Sequence, residues 1–114
     1  MKIIIAGGRD YRFTTRDRTR LNHIEGVTEV VSGGARGADT EGESWAAFHR
    51  IPVRRFLPNW DRYGKRAGML RNREMAEYAD AVALFPGGKG TESMAHEAAV
   101  RGLRIYDFRE DQLL

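Results

Sequence analysis

Ala81-Val82-Ala83-Leu84-Phe85-Pro86-Gly87-Gly88-Lys89-Gly90-Thr91 joins an uninterrupted apolar run to a glycine-rich turn, and a segment of helical spacing follows. Five consecutive apolar residues bounded by turn signals fit a central parallel strand covered on both faces. The same arrangement occurs twice upstream. Ile3 to Ala6 is followed by Gly7-Gly8-Arg9-Asp10, and Val27 to Ser32 by Gly33-Gly34-Ala35-Arg36-Gly37-Ala38-Asp39. Two more short β-branched or apolar runs, Val53 to Leu57 and Leu103 to Phe108, bring the predicted strands to five.

Helical segments separate these runs, as a βαβ architecture requires. The first begins near Thr14, where Thr14 and Asp17 have the spacing of a capping arrangement, and ends before Gly26, with Leu21 and Ile24 as its apolar contacts. The second runs from about Gly37 to Arg50 and directs Ala38, Trp45 and Phe48 towards the core. A third, Lys65 to Tyr78, carries Ala67, Arg71, Met75 and Tyr78 on one stripe, so an arginine interrupts an apolar face. The fourth, about Thr91 to Arg101, offers Met94, Ala95 and Ala98 to the sheet before Gly102 stops it. Pro58 to Lys65 reads as a loop in which Trp60 and Tyr63 either stack on a base or pack at the rim.

These elements predict one α/β domain of three layers over residues 1–108, with a short tail at 109–114. With the first strand central and the crossovers right-handed, the simplest order of the mainly parallel sheet is 3-2-1-4-5. Ligands in such sheets bind beyond the carboxyl ends of the strands, at the switch between strands 1 and 4. All three glycine clusters fall on that edge.

Composition narrows the classes of function. Hydrophobic residues at 41% and charged residues at 31% fit a globular chain and exclude intrinsic disorder. The absence of a membrane-spanning run or a signal-peptide pattern predicts a cytoplasmic protein. With no cysteine, thiolate catalysis and disulfides are excluded, and His23, His49 and His96 lack ligand spacing, so neither metal nor cofactor is expected. The net charge of +3 is compatible with nucleic acid, but basic residues are spread among acidic ones and decide nothing alone.

The glycines carry the chemistry. Glycine permits positive φ and close backbone approach, so consecutive N–H groups can turn towards an anion at a helix N-terminus. The clusters contain neither a Walker sequence nor a GxGxxG fingerprint, which removes support from ATP hydrolysis and NAD-linked redox chemistry. The candidate ligand-binding residues are Gly7, Gly8, Arg9, Asp10, Ser32, Gly33, Gly34, Arg36, Gly37, Asp39, Arg71, Asn72, Pro86, Gly87, Gly88, Lys89, Gly90 and Thr91. Within this set, Arg9, Arg36 and Lys89 complement phosphate charge, and Thr91 is placed to cap the fourth helix. Arg71 is the strongest side-chain candidate, because a guanidinium on an apolar stripe requires an anion to meet it. Asp10, Asp39 and Glu92 are the nearby carboxylates; Asp39 and Glu92 are the candidate catalytic residues, although both also sit where a helix dipole favours acids.

Gly7-Gly8-Arg9-Asp10, Ser32 to Asp39, Arg71-Asn72 with Met75, and Pro86 to Thr91 together resemble the SLOG superfamily, in particular its YspA/YpsA-related branch. The superfamily includes lysine-decarboxylase-like phosphoribohydrolases and the DNA-processing protein DprA, and the resemblance spans Ile3 to about Phe108. It implies a Rossmann-like fold that binds nucleotides or nucleotide-derived signals, with Arg71 and the Pro86 to Thr91 loop at the ligand. In the phosphoribohydrolases a catalytic glutamate follows the glycine motif; here Met94 stands at that position and has no acid–base chemistry.

The leading expectation is therefore a sensor or sequestering module for a phosphorylated nucleotide, NAD- or ADP-ribose-derived, with phosphates against Gly33 to Gly37 and Gly87 to Thr91. Two alternatives stand beside it: an N-glycosidic hydrolase of nucleoside monophosphates using Asp39 or Glu92, and a single-stranded nucleic-acid binder. A homodimer or higher homo-oligomer fits the small sheet, as related superfamily enzymes form them.

Overall fold

A computed structural model describes residues 1–110. Five strands, β1 (Lys2–Ala6), β2 (Glu29–Ser32), β3 (Val53–Arg55), β4 (Ala81–Leu84) and β5 (Arg104–Asp107), form one sheet in the order β3-β2-β1-β4-β5. Every pairing is parallel. The expected Rossmann-like order is thus observed, and among the described residues no strand runs antiparallel.

Alternation along the strands divides the core into two layers. Ile3 and Ile5 join Val30, Ala81, Ala83 and Phe85 under α1 (Thr15–Asn22) and α2 (Ala38–Phe48). Ile4 and Ala6 join Val31, Val82 and Leu84 under α4 (Ala67–Tyr78) and α5 (Lys89–Val100). Because both faces are covered, β4 is buried at every position, which is why its sequence does not alternate.

Helix α1 starts as its sequence predicts. Thr14 accepts from the Asp17 N–H at 3.1 Å and the Asp17 carboxylate accepts from the Thr14 N–H at 3.0 Å, a reciprocal capping box. Leu21 is buried and Ile24 half-buried against the same core layer.

Several expectations need correction. Phe48 is 83% exposed rather than packed. Helix α2 lies so close to β1 that a Cβ on Gly42 would stand 2.7 Å from Ile5, and its buried stripe is Ala38, Gly42, Trp45 and Ala46. Phe48 projects roughly a third of a turn from that stripe. The stretch 58–65 is not a plain loop: Asn59 caps a short helix α3 (Trp60–Tyr63), accepting from the Arg62 N–H at 3.1 Å, and a 3-10 turn (Gly64–Arg66) leads into α4. Thr91 is not a cap, because α5 begins at Lys89 behind Gly88 and encloses Thr91 in its first turn. Of the expected tail, Arg109 pairs with Asp107 at 2.7 Å, and positions 111–114 lie outside the described residues.

Candidate functional site

The loops after β1 and β4 meet at the switch point. The Gly8 N–H donates to the Pro86 carbonyl at 2.8 Å, and a Cβ on Gly8 would stand 3.1 Å from that oxygen. A Cβ on Gly87 would lie 2.2 Å from Thr91 Oγ1 and 2.6 Å from the Gly8 nitrogen. Glycine at 8 and 87 therefore lets two backbones touch, and the floor between them is a cleft of about 370 Å³. Gly7, Gly8, Arg9, Asp39, Arg71, Asn72 and the first turn of α5 line it, with Met75 and Met94 at the apolar end.

Arg71 is held in place by the protein itself. Its Nη1 donates to the Gly33 carbonyl at 2.6 Å and to the Phe56 carbonyl at 3.4 Å, and its Nε donates to Asn72 Oδ1 at 3.1 Å. Nη2 makes no hydrogen bond among the described residues. Burial pushes the Arg71 pKa down, Asp39 opposes this, and the like charge of Arg9 adds to it. A partly desolvated cation with an open nitrogen is stabilised by an anion placed against it.

The two helices entering the site are capped differently from α1. Helix α5 has Gly88 as N-cap with no side-chain bond, and its first helical bond runs from Glu92 to Gly88. The N–H groups of Lys89, Gly90 and Thr91 thus have no hydrogen-bond partner among the described residues, the arrangement that favours an anion. Helix α2 has Gly37 as N-cap, but its Ala38 N–H already donates to the Gly8 carbonyl at 3.0 Å. Of the two, α5 presents the larger open set.

The second glycine cluster mostly makes room for other groups. A Cβ on Gly33 would stand 2.5 Å from Arg71 Nη1, one on Gly34 2.4 Å from Leu57, and one on Gly37 2.2 Å from the Gly8 carbonyl oxygen. Gly37 also has φ +77°, so Gly37→Ala combines backbone strain with a collision against backbone that cannot swing aside. Its expected cost is about 2 kcal/mol, read as a lowered urea midpoint at unchanged slope.

Other predicted residues divide sharply. Asp39 lines the cleft; its Oδ2 accepts from the Ala35 N–H at 3.1 Å, and burial pushes its pKa up although Ala35 and Arg71 pull against this. Asn72 is a connector, its amide donating at 3.3 Å to the Gly90 carbonyl and to Ser93 Oγ while its oxygen holds Arg71. Ser32 is buried and donates to Glu43 at 2.6 Å, and Glu43 is clamped by Arg55 at 2.6 Å, so this chain braces the loop after β2. Asp10 and Arg36 are paired at 3.3 Å in solvent, outside the cleft lining. Glu92 is exposed and borders a separate depression with Arg109, because it sits one position beyond the buried Thr91 on α5. Pro86 and Gly87 border that depression too.

Sequence reasoning missed Ser93 and Glu43. The second was readable in principle, being one helical turn beyond Asp39 on the same face. Among the described residues no His, Asp and Glu cluster could hold a metal ion, and no helix is long and apolar enough to cross a membrane.

An all-parallel 3-2-1-4-5 sheet with a glycine-framed cleft at its switch point defines a small Rossmann-like domain of the doubly wound class. The chain belongs to the YspA, cpYpsA-related SLOG family, whose model matches residues 1–63. It is 39% identical over 87 residues to the Gene 61 protein of Mycobacterium phage D29, covering 69% of this chain and 70% of that protein. Its fold is similar to that of DNA processing protein A (DprA) from Streptococcus pneumoniae, with a TM-score of 0.75 at 16% identity over 98% of this chain. The chain spans about half the length of that protein, 51%.

Proposed function

We propose that the chain binds a phosphorylated nucleotide or nucleotide-derived ligand, such as an NAD- or ADP-ribose-derived signal, and acts as a sensor or sequestering module. One observation carries the reading: the open N–H groups at the start of α5 and the open Nη2 of Arg71 border the same cleft at the switch point. Arg9 and Lys89 at the mouth add positive charge, so an anionic group there meets donors and cations together. The cleft volume of about 370 Å³ admits a ligand of nucleotide size, and membership of the SLOG family points to the same class. Phosphate is assigned to the α5 side rather than to Gly33 to Gly37, whose space is taken by Arg71, Leu57 and the first loop.

A second reading has one observation in its favour. Asp39 is the carboxylate that lines the cleft, and its raised pKa suits proton transfer. In that case the chain would hydrolyse an N-glycosidic bond with Asp39 as the acid–base residue, without a glutamate at Met94.

Calorimetry with AMP, ADP-ribose and cyclic ADP-ribose, each beside its unphosphorylated nucleoside, combined with chromatography of the recovered ligand, tests both readings. Binding confined to phosphorylated members, with the ligand recovered intact, is the expected result. Equal affinity for nucleosides, or no binding at all, would remove the phosphate assignment. Free base that disappears in Asp39→Asn would establish the hydrolase instead.

A further inference from the structure

The segment leading into α4 concentrates two properties that the cleft does not use. Leu57 (68% exposed), Trp60 (50%), Tyr63 (42%) and Met69 (41%) are four of the seven large exposed apolar residues among the described ones. Between positions 54 and 73, with Arg71 of the cleft set aside, stand six basic residues, Arg54, Arg55, Arg62, Lys65, Arg66 and Arg73, against Asp61, and Glu74 follows directly. Arg55 is bound by Glu43, Arg73 reaches Glu97 at 3.9 Å, and Arg54 stacks on Phe56 and Tyr78. Arg62, Lys65 and Arg66 have no acidic partner among the described residues.

Helix energetics favour these cations on one side only: Arg62 lies in the last turn of α3 and Lys65 and Arg66 in the short 3-10 turn, where positive charge is favoured, but those elements are only four and three residues long. The same cations precede the N-terminus of α4, where the macrodipole disfavours positive charge, and α4 has neither a side-chain cap nor an acid in its first turn. Helices α1, α2 and α5 each carry an acid there. The aromatics are placed on either side of the same helix end. A Cβ on Gly68 would stand 3.6 Å from Trp60 Cη2, on the stripe that carries Arg71 and Asn72 one turn later. Tyr63 and Arg66 border a depression of about 280 Å³ with Leu70, Arg73 and Glu74, so one carboxylate stands there against two arginines. Arg62 covers the Tyr63 ring at 5.3 Å.

We propose that this surface binds a single-stranded nucleic acid. Bases stack on Trp60 and Tyr63, and Arg62, Lys65 and Arg66 take phosphates over the N-terminal end of α4. Unpaired cations interleaved with exposed rings supply both halves of sequence-tolerant strand binding. A protein partner would be better matched by an apolar patch without three uncompensated charges. The surface is independent of the cleft reading, because none of these five residues lines the cleft.

Fluorescence anisotropy with labelled oligothymidine and oligouridine of about 15 nucleotides, beside a duplex of equal length, tests it. The wild-type chain is expected to prefer the single strand and to weaken with salt. The combined variant Arg62→Gln, Lys65→Gln, Arg66→Gln should lose at least tenfold in affinity and about 2 from the log–log salt slope. Trp60→Ala should lose at least about fivefold, the lower end for one stacked base. Unchanged circular dichroism verifies that both variants fold, and unchanged AMP or ADP-ribose affinity separates this surface from the cleft. Absence of oligonucleotide binding at low salt would overturn the proposal, as would equal duplex affinity indifferent to Trp60→Ala. A wild-type dimer that Trp60→Ala dissociates, with no affinity for either oligonucleotide, would assign the surface to self-association and equally overturn it.

Discussion

Arg71→Ala is expected to weaken nucleotide binding by at least thirtyfold while the domain remains folded. Truncating one partner of a desolvated charge pair costs about 2–5 kcal/mol, much of it from leaving the other charge unmet. Here the guanidinium already has two nitrogens held by Gly33, Phe56 and Asn72, so a ligand orders nothing further when it engages the third. Stability should change less than affinity. The variant loses the bonds to Gly33 and Asn72 but also the cost of burying a cation, which is what lowers the Arg71 pKa. Arg71→Lys is the informative companion: a single ammonium cannot hold the Gly33 carbonyl and the Asn72 oxygen while also facing the cleft, so lysine should restore little. Calorimetry on both variants, with thermal melts alongside, measures the difference. Affinity within threefold of wild type in Arg71→Ala would exclude Arg71 as the ligand's anion partner.

The largest effect on stability is expected at a residue remote from the cleft. Asp17 is 2% exposed and accepts from Tyr11 Oη at 2.5 Å, from the Thr14 N–H at 3.0 Å and from Arg20 at 2.7 Å. Asp17→Ala removes the capping box and leaves Arg20, which lies 4.4 Å over the Phe108 ring, without its carboxylate. We expect a loss of about 2–4 kcal/mol, the lost capping box added to the breaking of a partly buried pair, and a melting temperature lowered by about 8 °C or more. A shift under 3 °C would show that the network contributes little.

Acid sensitivity follows from the same residue. Burial opposes ionisation of Asp17, but the hydrogen bonds from Tyr11, Thr14 and Arg20 outweigh it and lower its folded pKa. Its contribution is complete above the unfolded carboxylate value of about 3.9 and is lost as pH falls through the lower folded value. Asp39 has the opposite sign. Its raised folded pKa means that it costs stability as pH rises from about 3.9 through that folded value. Wild type should therefore lose more stability than Asp17→Asn on acidification below pH 4, in urea titrations across that range.

The sequence by itself determined the parallel sheet, its order and the edge where the cleft lies. Five apolar runs separated by helical segments leave few chain paths once crossovers are right-handed, and strands such as Ala81 to Leu84 announce by their lack of alternation that both faces are covered. It also marked Arg71, because a cation on an apolar stripe is visible from spacing alone. What tertiary structure decided was which glycines line the cleft and which make room for other parts of the chain. Gly33, Gly34, Gly37 and Gly87 are the same residue type as Gly88 and Gly90, yet their neighbours are Arg71, Leu57, the Gly8 backbone and Thr91, whereas Gly88 and Gly90 have open space beside them and line the cleft. The fate of Glu92 was likewise decided by one helical position, which turns a carboxylate by roughly 100°. Phe48 and the cations of 62–66 needed the packed molecule too, since exposure and the absence of a partner are properties of everything that surrounds a side chain.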